Sequence, residues 1–392
     1  MKRQMPLLPE VWFWQLIISP HMAELAVALA RQGCRVVCVA SQAMSSERSR
    51  QGWIAPNLSG VTVNWAESNE AVQRLVASAN EDSIHLCQGI RANGRVALAQ
   101  KALAMRGLKQ FAVMETVEDS GWRGLLKRQI YRNLFRSRKN VLSGVLAIGY
   151  RTMDWIAARG MPAERVFPFA YFLSDQLPQR NTLSLRDIPR FEFDPHVRPF
   201  RFIFVGRLIP LKRVDWLINA LGELKNQSFE LWIVGAGSEE AILKEKAAKK
   251  LGKRVRWLGQ IPMTEVPSVV GQADCLVLPS VHDGWGAVCS EALMAGTPVI
   301  CSDACGVSGV VRASGVGGVF PSDNVEVLRQ LLARNLDNGC VTVEARGLIA
   351  QWAQALGATA GASYLLKILN TSERPMPPWQ REKDVKENAW IS

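Results

Sequence analysis

The apolar positions of this chain follow two rhythms in turn. VWFWQLII, residues 11–18, is a short apolar run interrupted only by Gln15 and predicts a strand. In HMAELAVALARQG the residues Met22, Leu25, Ala28 and Leu29 recur at helical spacing, Gly33 supplies the stop, and RVVCVAS follows as a second strand. That is a β-α-β unit. Further strands are expected at VTVNW, SIHLCQG, QFAVMET, GVLAIGY and RVFPFAYF, alternating with helical stretches such as VALAQKALAM.

Residues 174–198 break the rhythm with three prolines and no sustained period, so a linker is expected over 176–198. The alternation then restarts with strand RFIFVG, helix RVDWLINALGELK, strand FELWIVG, helix SEEAILKEKAAKKLG and strands RVRWLG and DCLVLPS. A helix from about Val288 and the strand PVICS complete the block. Such alternation implies parallel sheets covered on both faces, in two blocks of similar size. The expected division is an N-terminal domain over 1–175, the linker, a second domain over 199–355, and a helix and tail over 356–392 that packs back on the first domain. In open parallel sheets ligands bind outside the carboxyl ends of the strands, so the informative residues should follow strands.

Composition narrows the class. At 392 residues and 48% hydrophobic the chain exceeds what one core usually serves, and disorder is excluded for most of it. Eight cysteines without C-x-x-C spacing read as buried thiols in a reducing cytosol. Lys2 and Arg3 before the first apolar run suggest a secretory leader, but Glu10, His21 and Glu24 contradict it, and the run is about half the ~20 residues of a membrane span. A soluble or peripheral protein is expected. The formal net charge of +12 asks for an anionic partner: nucleic acid, a phosphorylated small molecule or a membrane face.

Three strand-end stretches carry the chemistry. FVGRLIPLKRVDWLI places Gly206, Arg207 and Lys212 between strand and helix, where fixed cations and backbone N–H groups suit a diphosphate; two solvated surface cations are the alternative. IVGAGSEE supplies Gly235 and Gly237, with Ser238 as expected N-cap. It lacks the third glycine of a dinucleotide fingerprint, so it also reads as a plain tight turn. SVHDGWGAVCSEALMAGTPVI is the most informative. Gly284, Trp285 and Gly286 let the backbone fold beneath a ligand, the helix from about Ala287 aims its N-terminal dipole at it, and Asp283 and Glu291 can reach different parts of one elongated molecule. Paired hydroxyls of a sugar or ribose suit such carboxylates. Alternatively, Asp283 is only a helix-start acid and Glu291 a solvated one.

In this order and spacing, GRLIPLK, VGAGSEE, WLGQIP and DGWGAVCSEALMAGTPVI resemble the nucleotide-binding half of the GT-B glycosyltransferases, specifically the retaining family 4. The resemblance is to bacterial enzymes of O-antigen, capsule and exopolysaccharide synthesis, and it covers about residues 200–325. It implies an α/β fold of two Rossmann-like domains facing each other across a cleft. It implies that Arg207 and Lys212 hold the donor diphosphate and that Glu291 binds ribose. Asp283 stands where the family has a Glu near the donor sugar, and Gly259, Gln260 and Ile261 match the loop that meets the nucleobase. The first half departs more: His21 and Glu115 are its acceptor-side candidates.

The expected function is transfer of a sugar from a nucleotide diphosphate to a growing glycan or lipid-linked acceptor by a hexosyltransferase, with retention implied by the resemblance. No D-x-D motif is present, so neither metal nor other cofactor is expected. A phosphorylase or epimerase relative and a nucleotide-sugar-binding protein without turnover are the other readings. Nucleic acid is not expected, because its recognised motifs are missing. Residues 121–140, GWRGLLKRQIYRNLFRSRKN, contain seven Lys/Arg and no acid, with Trp122, Leu125, Leu126, Ile130, Leu134 and Phe135 in an apolar stripe. This pattern fits a helix lying on an anionic membrane, and the resemblance implies that the membrane is the plasma membrane and the face its inner, cytoplasmic one; an ordinary helix packing its stripe on the sheet shows the same pattern.

Overall fold

A computed structural model describes residues 8–44, 56–175, 198–224, 227–371 and 373–380. The predicted linker, Arg198 excepted, and residues 381–392 of the predicted tail lie outside these. The chain divides into two compact units, one of residues up to Ser174 together with Gly357–Pro378, the other beginning at Asp175 and running to Leu356.

The first unit is built on β1 (Glu10–Gln15), β2 (Arg35–Ala40), β3 (Thr62–Trp65), β4 (Ile84–Gln88), β5 (Lys109–Glu115), β6 (Leu142–Ile148) and β7 (Val166–Phe169). These form one parallel sheet in the order β3-β2-β1-β4-β5-β6-β7. The nearly continuous apolar runs are explained by burial on both faces: every residue of β1 is buried. Trp12 and Trp14 stack at 5.9 Å on one face, packed with Val72, Val76 and Leu103 from the helices Asn69–Ser78 and Arg95–Met105. Buried His85 receives a hydrogen bond from Trp14 Nε1 at 3.0 Å and contacts Ser83 Oγ at 2.9 Å; burial pulls its pKa down to about 3, so it is a neutral core residue. The helix Ala358–Asn370 belongs to this unit: Gln32 Nε2 donates to Thr359 O and Ser363 Oγ, and Tyr364 donates to Pro168 O at 2.9 Å.

The second unit contains β8 (Phe200–Val205), β9 (Phe229–Val234), β10 (Val255–Gly259), β11 (Cys275–Leu278), β12 (Val299–Ser302) and β13 (Gly317–Phe320). They form a parallel sheet in the order β10-β9-β8-β11-β12-β13. The chain works outward from β8 to β10, then crosses back to place β11 on the other side of β8. The loops that leave β8 and β11 therefore start side by side at the point where the strand order reverses, the place where open parallel sheets bind their ligands. Fully buried Asp274 anchors the unit's ends: it accepts from Arg198 at 2.5 and 2.7 Å, from Arg346 at 3.2 Å and from the N–H groups of Arg201 and Val341. The cysteines are buried as expected except Cys340, which is exposed.

Candidate functional site

The carboxyl end of the second sheet is laced by backbone hydrogen bonds that run from loop to loop. Gly206 N–H donates to Val234 O at 3.0 Å, Leu208 N–H to Ala236 O at 2.9 Å, and Gly235 N–H to Gly259 O at 2.7 Å. A side chain would block this approach. A Cβ on Gly235, whose φ is +128°, would lie 1.9 Å from Gly206 O, and one on Gly237 would lie 2.2 Å from Leu208 O. These glycines do more than turn the chain; they let the β8 and β9 loops lie against each other. Ser238 is not the expected cap. Glu239 N–H is taken by Leu208 O at 2.9 Å, so the helix begins one residue late, at Glu240, with Glu239 as N-cap.

Across the strand-order reversal the β8 and β11 loops meet. Val281 N–H donates to Leu211 O at 3.0 Å, and Lys212 Nζ donates to Asp283 Oδ2 at 2.5 Å, with both side chains mostly buried. Arg207, in the same β8 loop, is exposed. Behind Lys212 the chain passes through Arg213, a non-glycine residue in the left-handed region at φ +50°, steadied by its fork on Asp215 at 3.0 and 2.9 Å and its stacking on Trp216 at 4.1 Å. That conformation turns the chain from the Lys212 loop into the helix Val214–Glu223.

The β11 loop is shaped by its partner after β12. Asp283 N–H donates to Ala304 O at 3.3 Å, Gly306 N–H returns to Asp283 O at 3.0 Å, and Val307 N–H donates to Trp285 O at 2.8 Å. Gly306 is needed because its Cβ would fall 2.0 Å from Gly284 O. Nothing in the sequence pattern singled out Gly306, although it follows a strand by four residues. Trp285 is buried and donates to Ser290 Oγ at 3.2 Å, which fixes the loop to the first turns of the helix Ala287–Met294. Gly286 caps that helix at φ +90°. Glu291 lies one turn in, and burial pushes its carboxyl up to about 7. Gly259 and Gln260 are exposed at the end of β10, with Ile261 half-buried beside them. The predicted donor-side residues thus gather at the strand ends of one sheet, Gly259 closing β10, Ala287 and Glu291 on the helix after β11 and the others on the loops, with Lys212 and Asp283 in direct contact.

In the first unit, His21 is the second residue of the helix Pro20–Arg31, whose cap Ser19 accepts from Met22 N–H at 3.3 Å. Its ring stacks on Tyr171 at 5.2 Å, and Tyr171 donates to Glu115 Oε1 at 2.6 Å. Tyr171, which sequence patterning does not mark, therefore joins the two residues that it did. Burial lowers the His21 pKa to about 4 and raises that of Tyr171, helped by the Glu115 carboxylate. Asp119 is occupied structurally, accepting from Trp155 Nε1 at 2.9 Å and from Arg159 at 2.5 Å.

Among the described residues no group of three or more His, Cys, Asp or Glu is arranged to hold a metal ion. The site offers an anion Arg207, Lys212 and the N-terminal end of the helix Ala287–Met294, and offers hydroxyls Asp283 and Glu291.

Residues 186–350 match the family model described as glycosyl transferases group 1. The chain is 28% identical over 200 residues to the alpha-D-kanosaminyltransferase of Streptomyces kanamyceticus, covering 50% of this chain and 52% of that protein. It is 29% identical over 188 residues to the amylovoran biosynthesis glycosyltransferase of Erwinia amylovora, covering 46% and 44%. The matches therefore span about half the length of these relatives. Among solved structures, Anabaena HepE in complex with UDP superposes with a TM-score of 0.67 over 92% of this chain and 99% of that one, at 16% identity. The likeness establishes the fold, two parallel-sheet α/β units of the GT-B kind.

Proposed function

We propose that the protein is a glycosyltransferase that moves a hexosyl group from a nucleotide diphosphate sugar to a glycan or lipid-linked acceptor. The observation that carries this reading is the meeting of Lys212 and Asp283 across the strand-order reversal, beside the helix that bears Glu291. In this reading Arg207, Lys212 and the N-terminus of the helix Ala287–Met294 receive the diphosphate. They stabilise it as the sugar–phosphate bond breaks and negative charge gathers on the leaving oxygen, so the step needs no metal ion. Glu291 takes the ribose hydroxyls, Gly259, Gln260 and Ile261 border the base, and Asp283 approaches the sugar. The family match over 186–350 and a neighbour that binds UDP support this assignment.

The acceptor is a finer matter. One relative's name places it in kanosaminyl transfer and the other's in amylovoran biosynthesis; the surface-glycan reading carried forward here is the one that the sequence resemblance implies. His21, Tyr171 and Glu115 are the proposed acceptor-side group, and retention of configuration follows the family resemblance. The test is a thermal-shift series with UDP, GDP and ADP, followed by turnover of the matching nucleotide sugars. A nucleotide at ~100 times its Kd stabilises by about 2.7 kcal/mol. Stabilisation without hydrolysis or transfer of any nucleotide sugar would identify a binding protein instead.

A further inference from the structure

The carboxyl edge of the first sheet holds an aromatic residue that the proposed donor chemistry does not use. Glu115, Ile148 and Phe169, the last residues of β5, β6 and β7, stand level with one another in the register of the sheet. Because β6 lies between β5 and β7, the residues that follow it emerge between Glu115 and Tyr171. Gly149, at φ +105°, turns the chain there, and Tyr150 and Arg151 come next on the surface, with Tyr150 55% exposed. A single exposed tyrosine is ordinary on a protein surface. This one follows a strand whose neighbour ends in a half-buried carboxylate: Glu115 accepts the Tyr171 hydroxyl at 2.6 Å, and the His21 ring stacks on Tyr171 at 5.2 Å.

An exposed aromatic ring and a carboxylate on one strand-end edge select among ligands. A phosphate group would meet the Glu115 carboxylate charge against charge. A hydrocarbon chain would cover Tyr150 and bring no hydrogen-bond donor to Glu115. A sugar ring satisfies both. Its C–H groups give it an apolar face that packs on an aromatic ring, and its hydroxyls, at the margin, donate to a carboxylate.

We infer that this edge is a subsite for a sugar residue already present on the acceptor. The apolar face of the ring lies on Tyr150 and one of its hydroxyls donates to Glu115, while Tyr171, backed by the His21 ring, holds the carboxylate in place. The acceptor is then a glycan end and not a lipid phosphate, and the reaction that supplies it must itself attach a sugar. That the bound sugar is an acceptor rests on the glycosyl-transfer reading; that the edge binds a sugar does not.

The full chain is probed by saturation-transfer NMR with the methyl α- and β-glycosides of glucose, galactose and mannose, each alone. At least one glycoside should take up saturation, most strongly at the C–H protons of one ring face. Tyr150→Ala should weaken its binding by about fivefold or more, whereas Tyr150→Phe, which keeps the ring, should not. Glu115→Gln should weaken it by about tenfold, since an amide oxygen replaces a charged acceptor. Tyr150 is exposed, so its variants should melt with the wild type; if Glu115→Gln melts early, the comparison of Tyr150→Ala with Tyr150→Phe decides. Absence of saturation transfer to every glycoside overturns the inference, as does equal binding by Tyr150→Ala, which would put the sugar elsewhere. So does displacement of the glycoside by dimethyl phosphate, which would assign the edge to a phosphate. Binding of UDP, GDP and ADP is read separately by thermal shift, so its failure would remove the transfer reading and leave the sugar subsite standing.

Discussion

Lys212 Nζ donates to Asp283 Oδ2 at 2.5 Å, joining the β8 and β11 loops across the reversal of strand order in the second sheet. On the proposed donor-site reading an incoming diphosphate competes with Asp283 for the lysine, and the carboxylate freed by that exchange becomes available to the sugar. Asp283→Asn is expected to strengthen binding of the bare nucleotide diphosphate by about fivefold, on the order of 1 kcal/mol, because Lys212 no longer has to leave an ionised partner. The same change should lower sugar transfer. A variant with unchanged nucleotide affinity and unchanged turnover would reduce the pair to a structural clasp.

Lys212→Ala should act differently, because charge on the diphosphate grows during bond cleavage. Turnover is expected to fall by a larger factor than nucleotide affinity, with kcat carrying more of the loss than KM. Equal losses in both would mean that Lys212 only binds the donor in its ground state.

Glu291 gives a pH signature. Its folded pKa of about 7 lies above the ordinary 4.5 because burial disfavours the charged form. The folded chain thus holds a proton that the unfolded chain releases between those values. Stability from this group is full below about 4.5 and is lost as pH rises towards 7, by roughly 1–3 kcal/mol. Urea melts of Glu291→Gln should lack this decline. If Glu291 takes the ribose as proposed, nucleotide affinity should also rise more steeply from pH 6 to 8 in the wild type than in the variant, because only the ionised carboxylate can accept from both hydroxyls.

The strands and the strand-end loops were legible because buried parallel strands read as nearly continuous apolar runs and these loops carry clustered Gly, Arg, Lys and acids. Other features depend on contacts that no local pattern encodes. Tyr171 reaches Glu115 across 56 positions of chain. The stripe of helix Gly121–Arg138 shows which residues are apolar but not which side the sheet occupies, so Phe135 and Trp122 looked alike although one is buried and the other exposed. Ser238 resembled a cap, and the bond from Glu239 to Leu208 moved the helix start past it.

Two glycine substitutions should change stability in opposite directions. Gly235→Ala places a Cβ 1.9 Å from Gly206 O at a positive φ and should destabilise by about 1–3 kcal/mol, while loosening nucleotide binding through the β8 loop. Gly347, inside the helix Val343–Ala353, is exposed with nothing within 4 Å of a new Cβ, so Gly347→Ala should stabilise by about 0.5–1 kcal/mol. Calorimetric melting of both variants checks the signs; a destabilising Gly347→Ala would show that the helix is not regular there.

His21 supplies the opposite pH slope to Glu291. Burial holds its folded pKa at about 4, below the ordinary 6.5, so the unfolded chain binds a proton in that interval and the folded chain does not. Stability from this group is present above 6.5 and is lost as pH falls to about 4, by roughly 1–3 kcal/mol. Buried His85 adds a slope of the same sign, which is why the comparison must be made on a variant and not on the wild type alone. His21→Phe keeps a ring against Tyr171 and removes the titration. Its stability relative to the wild type should therefore improve as pH drops from 7 to 4.5. Between pH 5 and 8 the imidazole stays neutral, so the His21 resonances should not move with pH in an NMR titration. Movement with a midpoint near 6.5 would place the ring in water, and would make it a cation for an anionic acceptor instead of a neutral hydrogen-bond partner beside Tyr171 and Glu115.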